Sequence, residues 1–327
     1  MASAQQLIAM IRSHAVGDDD RFLSIAEEIA GEAAKAGKNR VAADMTAILK
    51  DLRTVRQGTG ERTKPVALAA PRGELAALMR AAYPETRLSD LVVGPDLDRR
   101  LRRLVREHRE REKLESKGLA PRRKFLFSGP PGTGKSMTAS AIAGELGLPL
   151  FTIQLDGVIT KFMGETAAKL RLIFDSMNKA RGVYFFDEVD ALATRRGSDN
   201  DVGEARRMLN SFLMLLEEDA SSSIVVAATN HRTLLDPAIF RRFHGVFSYA
   251  LPSQEEARQV LRNQLLQFDG DALDWTVVNA AAQGLSHADL TAAADDAARD
   301  AVLDRDGLLD TELLVLALKD RSTHHRD

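Results

Sequence analysis

The rhythm of apolar and polar positions changes along this chain, and each change marks a different kind of structure. Between residues 2 and 52 the spacing is helical. Leu7, Ile8 and Ile11 mark a first helix; Phe22, Ile25, Ala26 and Ile29 recur at i, i+3, i+4 and i+7 in a second; Val41, Met45, Ile48 and Leu52 mark a third. Asp18-Asp19-Asp20 caps the second helix and Gly37 ends it, so residues 1–53 are expected to form a small helical bundle. From Thr54 to Gly73 the rhythm stops, and Gly58, Gly60, Pro65 and Pro71 break any regular element. Residues 54–83 therefore read as a linker that closes with a short helical stretch, Glu74 to Ala82.

From residue 84 to 251 near-continuous apolar runs alternate with helical patterns. A long arginine-rich helix from about Asp96 to Lys117 comes first. Its core stripe is Leu101, Leu104 and Val105, and acids interleave with its arginines, which favours a solvated amphipathic face over a nucleic-acid surface. The runs Phe125 to Phe127, Pro149 to Gln154, Val183 to Phe186, Ser223 to Ala228 and Val246 to Tyr249 read as strands. Apolar strands separated by helices predict an α/β fold: a parallel sheet with helices on both faces and a ligand at the strands' carboxyl ends. After Pro252 only helical signals remain. Ser253 with Glu256 and Ser286 with Asp289 form capping boxes, and Asp310 caps a last helix, so residues 252–327 are expected to be a small helical lid.

The most specific chemistry follows the first of those strands. Gly129-Pro130-Pro131-Gly132-Thr133-Gly134-Lys135-Ser136 fits G-x-x-x-x-G-K-[ST] and runs into the helical pattern Met137, Ala141, Ile142, Leu146. In such a loop the backbone N–H groups and the helix N-terminus surround phosphate oxygens, the lysine reaches the β and γ phosphates, and the serine hydroxyl is a ligand for Mg²⁺. ATP and Mg²⁺ are the expected cofactors. Asp187 and Glu188 directly follow the strand Val183 to Phe186, where one acid holds the cation and the other polarises an attacking water. Asn230 closes the next strand, where a neutral amide orients that water. Read alone, Arg241-Arg242 is an ordinary solvated pair, and Lys161-Phe162-Met163-Gly164 is ordinary core beside a glycine.

Bulk properties narrow the classes. The 327 residues allow about two domains. A formal net charge of −2 calls for neither nucleic acid nor an anionic membrane. With no cysteine, disulfides, thiolate zinc sites and thiol catalysis are excluded. No apolar run approaches the roughly 20 residues that span a bilayer, and Arg12 with Asp18 to Asp20 stands where a signal peptide needs an apolar core. The expectation is a cytoplasmic protein without membrane insertion.

Taken together, the segments from about Leu88 to Asp320 resemble the AAA ATPases of the AAA+ superfamily, and their spelling is similar to the katanin, spastin and vacuolar-sorting branch. The resemblance implies that Gly129 to Ser136 is Walker A, Asp187-Glu188 Walker B and Asn230 sensor 1. It also implies that Arg241 and Arg242 are arginine fingers acting in trans within a homo-oligomer, a hexameric ring. Residues 84–251 would then be the large ATPase subdomain. Gly284-Leu285-Ser286-His287-Ala288-Asp289-Leu290 is similar to the family's G-x-S-G-A-D-L, which brings His287 and Ala288, with Leu91, Val92 and Met137, to the nucleotide. Two departures stand out: His287 replaces a glycine, and Val92-Val93 stands where many members have Gly-Gly. Lys161 to Gly164 resembles a pore loop that grips a polypeptide client through Phe162 and Met163, and Gly197 to Val202 a second one. The implied activity is ATP-driven unfolding or remodelling. A nucleic-acid motor and a nucleotide-gated scaffold are the alternatives.

Overall fold

The sheet is built from β1 (Met79–Ala82), β2 (Lys124–Ser128), β3 (Leu150–Ile153), β4 (Val183–Phe186), β5 (Ile224–Thr229) and β6 (Gly245–Ser248), in the spatial order β1-β3-β4-β5-β2-β6. Only the β1–β3 pairing is antiparallel. The computed structural model describes residues 71–159, 163–192, 201–232, 237–268 and 273–323. The bundle expected over 1–53, Lys161, Phe162 and residues 197–200 lie outside the described residues.

Helices α1 (Leu75–Leu78), α2 (Pro95–Arg109), α3 (Arg111–Glu115), α4 (Lys135–Leu146), α5 (Leu155–Val158), α6 (Met163–Met177) and α7 (Asp201–Glu218) accompany the strands. Side chains alternate across β2: Phe125 and Phe127 enter one core, Leu126 the other. The first core gathers α2 and α4 through Leu101, Leu104, Ala139 and Ile142; the second gathers α6 and α7 through Ile173, Phe174, Phe212 and Leu216. Both faces of the central strands are thus covered, which is why they read as unbroken apolar runs. Burying a phenylalanine such as Phe127 contributes about 1.5–3 kcal/mol, enough for these runs to fix the strands firmly. At the start of β2, Arg123 pairs with buried Asp219, and Lys124 Nζ donates to the carbonyls of Glu217 (3.3 Å) and Asp219 (3.2 Å). These contacts anchor the strand that carries the phosphate loop.

The structure corrects two expected elements. The helix expected from Glu74 to Ala82 is one turn, α1, followed by strand β1, whose Met79 to Ala82 pair with Ile153 to Leu150. Leu-Ala-Ala-Leu-Met-Arg-Ala-Ala favours helix locally, but an open edge on β3 supplies ladder bonds and a buried place for Met79, and tertiary pairing wins. The end of the expected 54–83 linker is therefore part of the sheet. The single helix expected from Asp96 to Lys117 breaks at Glu110 (φ −97°, ψ 27°) into α2 and α3. Arginines of α2 are paired within the chain: Arg102 with Asp98, Arg103 with Glu107, Arg106 with Glu110 and Arg109 with Glu145. Arg100 lies 4.5 Å over the Phe247 ring and donates to the Val246 carbonyl.

The lid comprises α8 (Gln254–Gln264), α9 (Trp275–Ala282), α10 (His287–Asp304) and α11 (Thr311–Thr323) around its own apolar core. Its predicted caps are present: Ser253 with Glu256, Ser286 with Asp289, and the Asp310 carboxylate accepting the Leu313 N–H at 2.9 Å. Helix α9, with Asp274 as its cap, is not among the elements expected from the sequence.

Candidate nucleotide site

The phosphate loop and the predicted Asp187, Glu188 and Asn230 all lie at the carboxyl ends of the central strands. The loop Gly129 to Gly134 joins β2 to α4, and the register Ser128 to Thr229 sets Asn230 beside the loop's first glycine. The Gly129 N–H also donates to the Thr229 carbonyl at 3.3 Å. Asp187 and Glu188 leave β4, the strand beyond β5. Gly132 (φ +70°) and Gly134 (φ +92°) take left-handed conformations that side-chain-bearing residues avoid, and α4 starts immediately after.

Buried Lys135 reaches back across the loop and donates to the carbonyls of Gly129 (2.8 Å) and Pro130 (2.7 Å). Burial lowers its ammonium pKa, while Asp187, Asp190 and Glu188 pull it back up. A cation held this way exchanges weak carbonyl partners for anionic oxygens at a net gain. Thr133 is buried and donates to the Pro130 carbonyl at 2.8 Å, which closes the turn.

Ser136 Oγ donates to Asp187 Oδ2 at 3.3 Å, and Asp187 Oδ1 accepts the Glu188 N–H at 3.0 Å. One hydroxyl and one carboxylate are hard oxygen donors that suit Mg²⁺. Among the described residues no group of three or more His, Cys, Asp or Glu forms a metal site. A divalent cation here would therefore be completed by phosphate oxygens and water, and the residues fit a magnesium–nucleotide complex rather than an all-protein metal cage. Glu188 is exposed and has φ +51°, an uncommon conformation for a residue with a side chain. Such strain concentrates at functional positions.

The lid meets the loop directly. The Ala288 N–H donates to the Gly132 carbonyl at 3.0 Å. A side chain on Gly132 would stand 2.9 Å from Ser286 Cβ, so the close approach requires glycine. Leu91 packs against the core of α2 and α4, whereas the next residue, Val92, packs against the lid core. His287 lies beside Val92, and Met137 is exposed on the first turn of α4. Sequence reasoning missed Asp190, a buried third acid whose charge acts on Lys135, and Tyr249, whose backbone fills the space under Gly129. The only sequence signals were a third acid soon after Walker B and an aromatic at the end of a strand.

Arg241 and Arg242 are not part of this cluster. They end a 3₁₀ turn, Pro237–Arg242, just before β6, whose Gly245 is level with Phe125 near the start of β2. The phosphate loop leaves the other end of β2. Both arginines are exposed, and Arg242 is ion-paired with Glu217 at the end of α7.

Burial depresses the imidazole pKa of His108, His244 and His287 below the ordinary 6.5. Below that value the unfolded chain binds protons that the folded chain does not, so stability is complete above it and is lost as pH falls through it. The urea midpoint is expected to fall between about pH 7.5 and about pH 5.5. An unchanged midpoint would contradict this account of the buried histidines.

A phosphate loop after a central strand of a parallel sheet, with an acid pair at the end of a neighbouring strand, defines the P-loop nucleotide-hydrolase class. Residues 125–251 match the family described as ATPase family associated with various cellular activities (AAA). An uncharacterized AAA family ATPase, y4kL, of Sinorhizobium fredii is 35% identical over 308 residues, 93% of this chain and 91% of that protein. The ATP-dependent zinc metalloprotease FtsH 3 of Sphaerobacter thermophilus is 33% identical over 236 residues, 69% of this chain but 48% of that protein. Spastin of Xenopus laevis is 34% identical over 225 residues, 66% and 37% respectively. Among solved structures, a FIGL-1 AAA domain superposes with a TM-score of 0.61 at 23% identity, covering 79% of this chain and 92% of that one. A katanin structure does so with 0.58 at 23% identity, covering 73% and 87%. The chain belongs to the AAA ATPases and is an ATP-binding, ATP-hydrolysing enzyme.

Proposed function

We propose that this AAA ATPase remodels proteins in the cytoplasm as a chaperone-like homohexameric ring that threads polypeptide clients through its pore. The observation that carries the reading is the separation of Arg241 and Arg242 from the phosphate loop along β2 and β6. Fingers at the amino ends of the strands serve a phosphate at the carboxyl ends only when a neighbouring subunit supplies them. Assembly then switches hydrolysis on. Katanin, whose structure superposes on this chain, self-assembles, which agrees with this reading.

Within each site, Lys135 exchanges its carbonyl partners for β and γ phosphate oxygens, and the loop amides hold the same group. Ser136 and Asp187 would hold the cation. Bound Mg²⁺ would neutralise phosphate charge during transfer. Glu188 takes the proton of the attacking water, Asn230 orients that water, and Arg241 and Arg242 of a neighbour stabilise charge as it develops. Leu91, Val92, Met137, His287 and Ala288 border the nucleoside. The Ala288-to-Gly132 hydrogen bond couples phosphate occupancy to the lid, so hydrolysis can move one subunit against the next.

Phe162 and Met163, flanked by Lys161 and Gly164, supply the apolar grip on an extended client, which suits capture without sequence readout. Phe162→Ala is expected to leave ATP hydrolysis within about twofold of wild type and to abolish unfolding of a tagged, destabilised reporter protein. Retention of both activities would overturn the threading mechanism.

A further inference from the structure

A cleft opens at the end of β2 opposite the phosphate loop, between α2 and the edge strand β6. Gly245 and Phe247 are two residues apart on β6 and face the same side of the sheet. Phe247 fills its place in the core beside Phe125, whereas Gly245 has no side chain to fill its own. A Cβ on Gly245 would stand 3.3 Å from Phe125 Cδ1, so a larger residue would occupy this space. The cleft that results holds about 350 Å³; buried Phe125, Phe247 and Leu104 form its floor, and exposed Arg100, Arg103 and Arg122 form its rim.

The rim carries more positive charge than the chain neutralises. Arg122 donates to the Glu107 carboxylate through Nε (3.1 Å) and Nη2 (2.6 Å), and Arg103 shares that carboxylate through Nε at 3.3 Å. Arg100, one turn before Arg103, has no acidic partner among the described residues. It donates to the Val246 carbonyl at 2.6 Å and lies over the Phe247 ring, which holds its guanidinium at the cleft. Three guanidinium groups against one carboxylate leave a formal charge of +2.

We propose that this cleft binds a phosphate monoester carried on a small apolar body. A monoester dianion neutralises the charge of the rim, whereas a carboxylate neutralises half of it. The donors come from two successive turns of α2 and from the segment leading into β2, an arrangement that suits several oxygens of a tetrahedral anion better than one planar fork. The apolar floor receives the ester group, and the volume lies at the lower end of the range for small-molecule sites. The site is distinct from the nucleotide site, because Gly245 is level with Phe125 near the start of β2 and the phosphate loop leaves its far end.

Calorimetric titration of the full chain tests this, with Mg²⁺ and ADP held saturating so that the phosphate loop is filled, at about pH 7.5 where a monoester is dianionic. Phenyl phosphate is expected to bind at a single site with a Kd at or below about 1 mM, and roughly tenfold or more tighter than benzoate. R103Q and R122Q should each weaken it by roughly tenfold, and R103K, which keeps the charge, should retain most of the affinity. Arg103 is exposed, so R103Q leaves the core stripe of Leu101, Leu104 and Val105 in place. R99Q, which removes an arginine paired with Asp96 outside the cleft, should change nothing. A phosphotyrosine pentapeptide run beside phenyl phosphate identifies the source: equal affinity points to a phosphorylated side chain, and binding of phenyl phosphate alone to a free small molecule, each in line with the proposal. Absence of saturable binding, benzoate as tight as phenyl phosphate, wild-type affinity in both R103Q and R122Q, or an equal loss in R99Q overturns it. Failure of ADP itself to bind would overturn the nucleotide reading instead, and the same titrations without ADP would still decide this one.

Discussion

Replacing Glu188 by Gln is expected to lower steady-state ATP hydrolysis by about 10²- to 10⁴-fold while leaving ATP affinity close to wild type, because the change removes a proton acceptor and little else. Glu188 follows β4, its N–H is already bonded to Asp187 Oδ1, and its side chain is exposed rather than packed. Glutamine has the same length and accepts the same φ of +51°, so neither the turn nor the Ser136-to-Asp187 contact need change. Single-turnover hydrolysis together with equilibrium ATP binding separates the two effects. Near wild-type turnover in this variant would remove Glu188 from the chemistry.

Gly129→Ala should fail at an earlier step. A Cβ on Gly129 would stand 2.8 Å from Tyr249 Cβ and inside the contact distance of the Tyr249 carbonyl oxygen. Tyr249 cannot retreat easily: its side chain is buried, its ring lies 5.4 Å from that of Phe127, and its N–H donates to the Ser128 carbonyl at 2.7 Å. The loop must move instead, and with it the Gly129 and Pro130 carbonyls that position Lys135. The expected result is a stability loss of about 1–3 kcal/mol and at least a ~100-fold loss of ATP affinity, on the order of 3 kcal/mol. Urea unfolding and calorimetry measure these separately. Wild-type affinity would show that Tyr249 does not shape the loop.

How much of this was legible in the sequence depends on how local each cause is. The phosphate loop was readable because its glycines, Lys135 and Ser136 act over a few bonds, and its flanking strand and helix announce themselves by period. Asp187, Glu188 and Asn230 were readable because an acid or amide at the end of an apolar run in a parallel sheet has one place to go. Strand β1 was not, since its extended form comes from pairing with β3 and opposes its own helical propensity. The strain at Glu188, the support of Gly129 by Tyr249 and the contact between Ser286 and Gly132 are set by the packed fold rather than by local spelling. The distance of Arg241 and Arg242 from their own phosphate loop also emerged only with the strand order. That distance turns a pair of surface arginines into a reason to expect assembly.

The most direct test of the shared site is ATPase activity in an equal mixture of Glu188→Gln chains and Arg241→Ala/Arg242→Ala chains, measured across protein concentration beside wild type. A site completed by its neighbour predicts a cooperative onset with concentration for wild type. It also predicts two nearly inactive variants whose mixture regains part of the activity, at interfaces that combine an intact Glu188 with intact arginines. A rate per chain that is independent of concentration, with no recovery on mixing, would mean that each chain hydrolyses ATP alone, and would contradict the ring, the arginines acting in trans and the threading mechanism together.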